Sequence, residues 1–100
     1  MKIYISGQIS GVDYDLAFSK FEKAENKVIS ELLEIEKVIN PMKLHPRLPE
    51  RKWEYYMSVD LAELMICDAI YMLNCWGQSK GGRVEYAVAK ELGLKIFFED

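Results

Sequence analysis

The chain has 100 residues, half of them hydrophobic, and a formal net charge of -3 at pH 7. That length fits one globular domain, residues 1–100, small enough that a homodimer or higher homo-oligomer would help cover its surface. The acidic balance argues against a DNA or RNA polymer as partner, and no apolar run reaches the roughly 18 to 20 residues of a membrane span or forms a signal peptide, so a soluble, cytoplasmic protein is expected.

Lys2–Ser6 (KIYIS) reads as a strand, with Gly7 and Gly11 in the loop after it. From Tyr14 to about Ile35, the residues Ala17, Phe18, Phe21, Ala24, Val28, Leu32 and Ile35 recur at helical spacing and predict a long helix. Val38 and Ile39 form a short strand stopped by Asn40 and Pro41. Asn40 to Lys52 then reads as a long loop carrying Lys43, His45, Arg47, Arg51 and Lys52, either a binding lid or a solvated connector stiffened by Pro41, Pro46 and Pro49. A second helix is expected over Trp53 to about Met65, a buried strand over Ala69–Leu73, a third helix over Gly82–Leu92 and a last strand over Lys95–Phe98. Gly93 suits the left-handed position that ends a helix.

Four strands alternating with helices imply an α/β fold, a Rossmann-like or flavodoxin-like three-layer sandwich with a small parallel sheet and right-handed crossovers. The uncharged Ala69–Leu73 segment suggests a central strand and the order 2-1-3-4. The strand order then reverses between the first and third strands, where α/β proteins bind ligands. Five of the six glycines fall in the two loops leaving the sheet there: Gly7 and Gly11 after the first strand, Gly77, Gly81 and Gly82 after the third. Amides around Ser6 to Gly11, and at the start of the third helix, can hold a phosphate or a sugar hydroxyl, or serve turn chemistry alone. Neither loop has GxGxxG or GxxxxGK[ST] spacing, which removes the main sequence support for a dinucleotide enzyme or a P-loop ATPase.

Cys67 and Cys75 bracket one strand and lie on the order of 20 Å apart or more, too far for a disulfide, so both are expected as thiols. With a single histidine, His45, and no CxxC or HExxH, neither a metal site nor a cofactor is expected. Asp60 lies on or beside the apolar stripe Trp53, Met57, Leu61, Leu64 and Met65 of its helix, and is either an inward carboxylate in need of partners or an edge residue reaching solvent. Glu85, just after Gly81 and Gly82, projects toward the crevice, where helix-terminal NH groups would keep it ionised as a nucleophile requires. Trp76 either stacks on a nucleobase or packs over the sheet end.

Tyr4 on the first strand, Gly7 to Gly11, Asp60 and Asp68 eight residues apart, and Ser79 followed six residues later by Glu85 resemble the nucleoside 2-deoxyribosyltransferase superfamily over Met1 to about Ile96. The blocks IYISG, CDAIYML and GGRVEYAVAKELGLKI look closest to a branch of short bacterial and phage proteins. The resemblance implies cleavage of an N-glycosidic bond in a 2'-deoxynucleoside or its 5'-phosphate, with no cofactor. Glu85 matches the nucleophile, Asp60 the acid/base residue and Tyr4 the tyrosine that orients the nucleophile. The transferases have aspartate at position 79, whereas the related deoxynucleotide N-hydrolases have serine there against the 5'-phosphate, so Ser79 favours a deoxynucleotide as the small-molecule partner. Two departures stand out. Ser10 replaces the phosphate-binding arginine of the hydrolases, leaving Arg47 or its basic neighbours to compensate, and the element that a neighbouring subunit contributes beyond the last strand is expected to be missing or replaced. A nucleoside deoxyribosyltransferase, a nucleotide-binding module without chemistry and a scaffold protein remain the alternatives.

Overall fold

The computed structural model describes residues 1–32, 34–45 and 51–100. Four strands form one parallel sheet: β1 (Lys2–Ser6), β2 (Lys37–Ile39), β3 (Ala69–Met72) and β4 (Lys95–Phe98), in the order β2-β1-β3-β4. β1 aligns Ile3 with Ala69 and Ser6 with Met72 of β3, and its Lys2 with Lys37 of β2. The expected α/β architecture and strand order are therefore those of the protein, with the reversal between β1 and β3.

Alternation along β1 divides the core. Ile3 and Ile5 face one layer with Ala17, Phe21, Ala24 and Val28 of α1 (Tyr14–Glu31). Tyr4 faces the other with Leu64 of α3 (Trp53–Met65) and Ala89 of α4 (Lys80–Leu92). Side chains of a strand point alternately to its two faces, so one pentapeptide serves both layers. β3 is buried throughout, as expected of a strand covered on both faces. Among the described residues, no helix is long and apolar enough to cross a membrane.

Several boundaries differ from expectation. α1 ends at Glu31 rather than near Ile35: Leu32 is already extended, and Glu34 turns the chain with a left-handed φ of 64°. The turn is tied by the amino terminus, which donates to the Glu34 carbonyl at 2.6 Å, while the Glu36 amide donates to the Met1 carbonyl. Ile35 still packs on the first core layer, which is why its periodicity reads as helical. The segment after β2 is not structureless, because Pro41–Leu44 forms a one-turn helix, α2, whose Asn40 side chain accepts from the Met42 amide. Proline at a first helical position has no amide to lose. Finally, α4 starts at Lys80, two residues before the expected Gly82, with Ser79 as its cap.

Candidate functional site

A cavity of about 610 Å³ opens at the carboxyl end of the sheet, between the loop after β1, the segment after β2 and the facing ends of α3 and α4. Gly7, Ser10, Gly11, Asp60, Ser79, Gly81 and Glu85 line it, as does His45. Close packing shapes the glycine loops. A Cβ on Gly7 would lie 2.7 Å from Leu73 Cδ1, so glycine lets β1 leave the sheet against β3. A Cβ on Gly82 would lie 2.8 Å from the Trp76 carbonyl oxygen, so glycine lets α4 begin against the turn Trp76–Gln78.

Glu85 stands three residues after the buried Gly82 and four before the buried Ala89, on the inward stripe of α4. It is 4% exposed, and both carboxylate oxygens are engaged: the Tyr4 hydroxyl donates to Oε2 at 2.5 Å and the Ser6 hydroxyl to Oε1 at 2.7 Å. Tyr4 and Ser6 are alternate residues of β1 and so share the face toward α4. They stand behind Glu85 rather than in the cavity lining. The donors holding Glu85 are thus two hydroxyls of the neighbouring strand, not the helix-terminal amides expected from sequence. Burial raises the Glu85 carboxyl to about 7, against the opposing effect of the hydroxyls, with the charge of Asp60 adding to the rise. Burial also pushes the Tyr4 phenol well above its ordinary value, with the Glu85 and Asp60 charges adding, so Tyr4 keeps its proton to donate.

Asp60 occupies the corresponding stripe of α3, three residues after Met57 and four before Leu64, and is buried with them. Its inward reading is the observed one, and its partner is His45, whose Nε2 lies 2.7 Å from Asp60 Oδ1. With Asp60 ionised, the imidazole is the donor, because a carboxylate has no proton to give. Burial raises the Asp60 carboxyl, while the His45 hydrogen bond and charge pull it down. His45 is held edge-on against the Tyr56 ring at 4.9 Å between centroids. Sequence reasoning placed His45 in a basic loop but did not pair it with Asp60. The available signal was its position just beyond the carboxyl end of β2, on the same sheet edge as both glycine loops.

Ser79 caps α4, its Oγ accepting from the Gly82 amide at 3.0 Å. The cap uses a lone pair, so the hydroxyl proton remains available to a ligand. Ser10 is exposed at the cavity rim. Arg47 lies outside the described residues. Trp76 takes the packing role: it stacks on Tyr86 at 4.6 Å and is not part of the cavity lining. Asp68 sits at the opposite end of the sheet, where its carboxylate accepts from the Lys2 amide at 2.8 Å. Arg51, one of the basic residues of the segment read as a binding lid or a connector, lines the cavity, and so do Tyr14, Trp53, Tyr56 and Lys80, which sequence reasoning did not assign to a site. The Lys80 ammonium lies 4.2 Å from the centre of the Trp53 ring, a cation–π contact.

Among the described residues, no group of three or more His, Cys, Asp or Glu side chains could hold a metal ion. The chemistry on display is that of two buried carboxyls in different settings, one braced by hydroxyls and one paired with imidazole, sharing a cavity with glycine-rich backbone. In comparisons with known proteins, no curated protein and no solved structure matches the chain. A family model described as a domain of unknown function, DUF4406, matches residues 1–98, and the chain therefore belongs to that family.

Proposed function

We propose that this protein cleaves, or transfers at, the N-glycosidic bond of a small 2'-deoxynucleotide, with hydrolysis of a deoxynucleoside 5'-monophosphate favoured. The observation that carries the reading is the buried Glu85 carboxylate, braced on both oxygens by Tyr4 and Ser6 at the wall of a cavity that Asp60 also lines. Each carboxylate oxygen has two lone pairs, so the brace leaves one on each for attack while fixing the direction of that attack.

In the first step Glu85 adds to the anomeric carbon as the bond to the nucleobase breaks. The bonding pair leaves with the base nitrogen, which takes a proton from Asp60. Water then attacks the same carbon, giving its proton to Asp60 and releasing Glu85. Tyr4, which holds its proton, stabilises the carboxylate before attack and after release. The Asp60–His45 contact gives the acid/base residue a partner whose donor role depends on protonation state. Ser79 and the nearby amides would face the 5'-phosphate, consistent with the serine that the resemblance associates with nucleotide substrates.

Incubation with a panel of deoxynucleoside monophosphates and the matching nucleosides, followed by chromatography for free base, tests the reading. Release from a monophosphate is expected, with kcat/KM rising as pH increases through about 7 because the nucleophile must be ionised. Glu85→Gln should abolish release. Binding of monophosphates without release would leave a nucleotide-binding module, and release from nucleosides alone would favour the transferase alternative.

A further inference from the structure

α3 is apolar on both sides. Its inward stripe contains Met57, Asp60 and Leu64, all buried. At about 100° per residue, Tyr55, Val59, Ala62 and Ile66 at the end of the helix fall on the opposite side. Tyr55 is 48% exposed and Ile66 is 59% exposed. Ala62 is exposed and Val59 half-buried, and Met65 extends the patch beside Ile66. The other long helices differ. Exposed positions of α1 are mostly polar, among them Ser19, Glu22, Lys23, Asn26 and Ser30, with Leu16 and Ile29 as apolar exceptions, and those of α4 include Arg83, Lys90 and Glu91 beside Leu92. Exposed Glu54 and Ser58 flank this second apolar stripe on one side and Glu63 on the other, and a helix with apolar stripes on opposite sides calls for a partner on the second.

We propose that this outward stripe is the contact between two copies of the chain, with the two α3 helices packed antiparallel about a two-fold axis near Val59 and Ala62. The charge pattern selects a second copy as the occupant. Exposed Arg51 and Lys52 precede the amino end of α3 and outnumber the exposed Glu54 of its first turn, while Glu63 lies near its carboxyl end and exposed Asp68 follows it. Antiparallel packing brings each basic end to the other copy's acidic end, whereas parallel packing would oppose like charges. The helix dipoles favour the same arrangement. A surface complementary to itself in this sense is what a two-fold interface requires. The contact also bears on the cavity. The Tyr55 ring packs 6.3 Å from His45 and 5.6 Å from Tyr56, two residues of the cavity wall, so covering Tyr55 fixes that wall from behind. The proposal is independent of what the cavity binds.

Sedimentation velocity of the full chain over a concentration series tests it. The wild type is expected to dimerise, more weakly as salt is raised. Ala62→Glu and Ile66→Glu should each weaken the dimer by about 30-fold or more, the effect of losing a central contact, with an unchanged circular dichroism spectrum. Tyr55→Ser adds no charge and should act in the same direction, providing the readout if a glutamate variant does not fold. Ile29→Glu, on α1 at a position that is 55% exposed, should dimerise like the wild type. A wild type that remains monomeric into the millimolar range, a dimer that survives all folded α3 variants, or one lost equally with Ile29→Glu would overturn the proposal.

Discussion

Glu85→Gln should stabilise the fold above neutral pH even as it removes the proposed nucleophile. Burial raises the folded-state carboxyl from its ordinary 4.5 to about 7. Between those values the folded state retains a proton that the unfolded chain has lost, so stability from this group is fully present below 4.5 and is lost as pH rises through about 7. At about 1.4 kcal/mol per pKa unit, the interval from 4.5 to about 7 corresponds to about 3 kcal/mol by pH 8. Glutamine resembles the protonated acid in shape: its carbonyl can accept from Tyr4, and its amide can donate to the Ser6 oxygen. It has no proton to lose. Urea and thermal denaturation of both proteins from pH 5 to pH 8.5 should show a difference that grows with pH, reaching about 3 kcal/mol and a Tm gain of at least about 10 °C at the alkaline end. A difference that does not vary with pH, or a variant less stable than wild type throughout, would refute the account of Glu85 as a carboxyl held neutral by burial.

Asp60→Asn should slow base release by roughly 10² to 10⁴, with the smallest loss on substrates whose bases leave readily; an equal loss on all substrates with a lowered Tm would mark a purely structural aspartate. Ser79→Asp should weaken deoxynucleoside monophosphate binding by more than about 1 kcal/mol in calorimetry, through repulsion and a lost charge-assisted hydrogen bond, while nucleoside binding changes little. Equal losses for both ligands would remove Ser79 from phosphate recognition. Gly7→Ala should cost about 1–3 kcal/mol in urea denaturation, because its Cβ would press into Leu73, which is 2% exposed and unable to withdraw into solvent. A cost under about 0.5 kcal/mol would show that the packing behind the loop yields freely.

The fold was legible because its signals are local and repeated. The helical spacing of Ala17, Phe21, Ala24 and Val28 and the uncharged Ala69–Met72 run specify elements, and chain order with right-handed crossovers restricts how those elements assemble. Errors arose where a tertiary contact overruled periodicity. Ile35 keeps the spacing of α1 yet lies outside it, because the amino terminus binds the Glu34 carbonyl and turns the chain toward β2. The expected start of α4 at Gly82 is two residues late, because the Ser79 side chain accepts from the Gly82 amide and so caps a helix that already includes Lys80 and Gly81.

The sequence by itself indicated the end of the sheet at which the cavity opens, since glycine loops at the reversal of strand order follow from topology, and it marked Asp60 as an acid on or beside an apolar helix stripe and Glu85 as an acid just past the second glycine loop. Only the tertiary structure decided what those acids touch. Tyr4 and Ser6 lie 81 and 79 residues from Glu85 in the chain, and His45 lies 15 from Asp60 across the segment that joins β2 to α3. No periodicity encodes pairings at such separations. They depend on the register of β1 beside β3 and the placement of α4 over that strand, and these in turn decide how far burial raises each carboxyl and which donors oppose it.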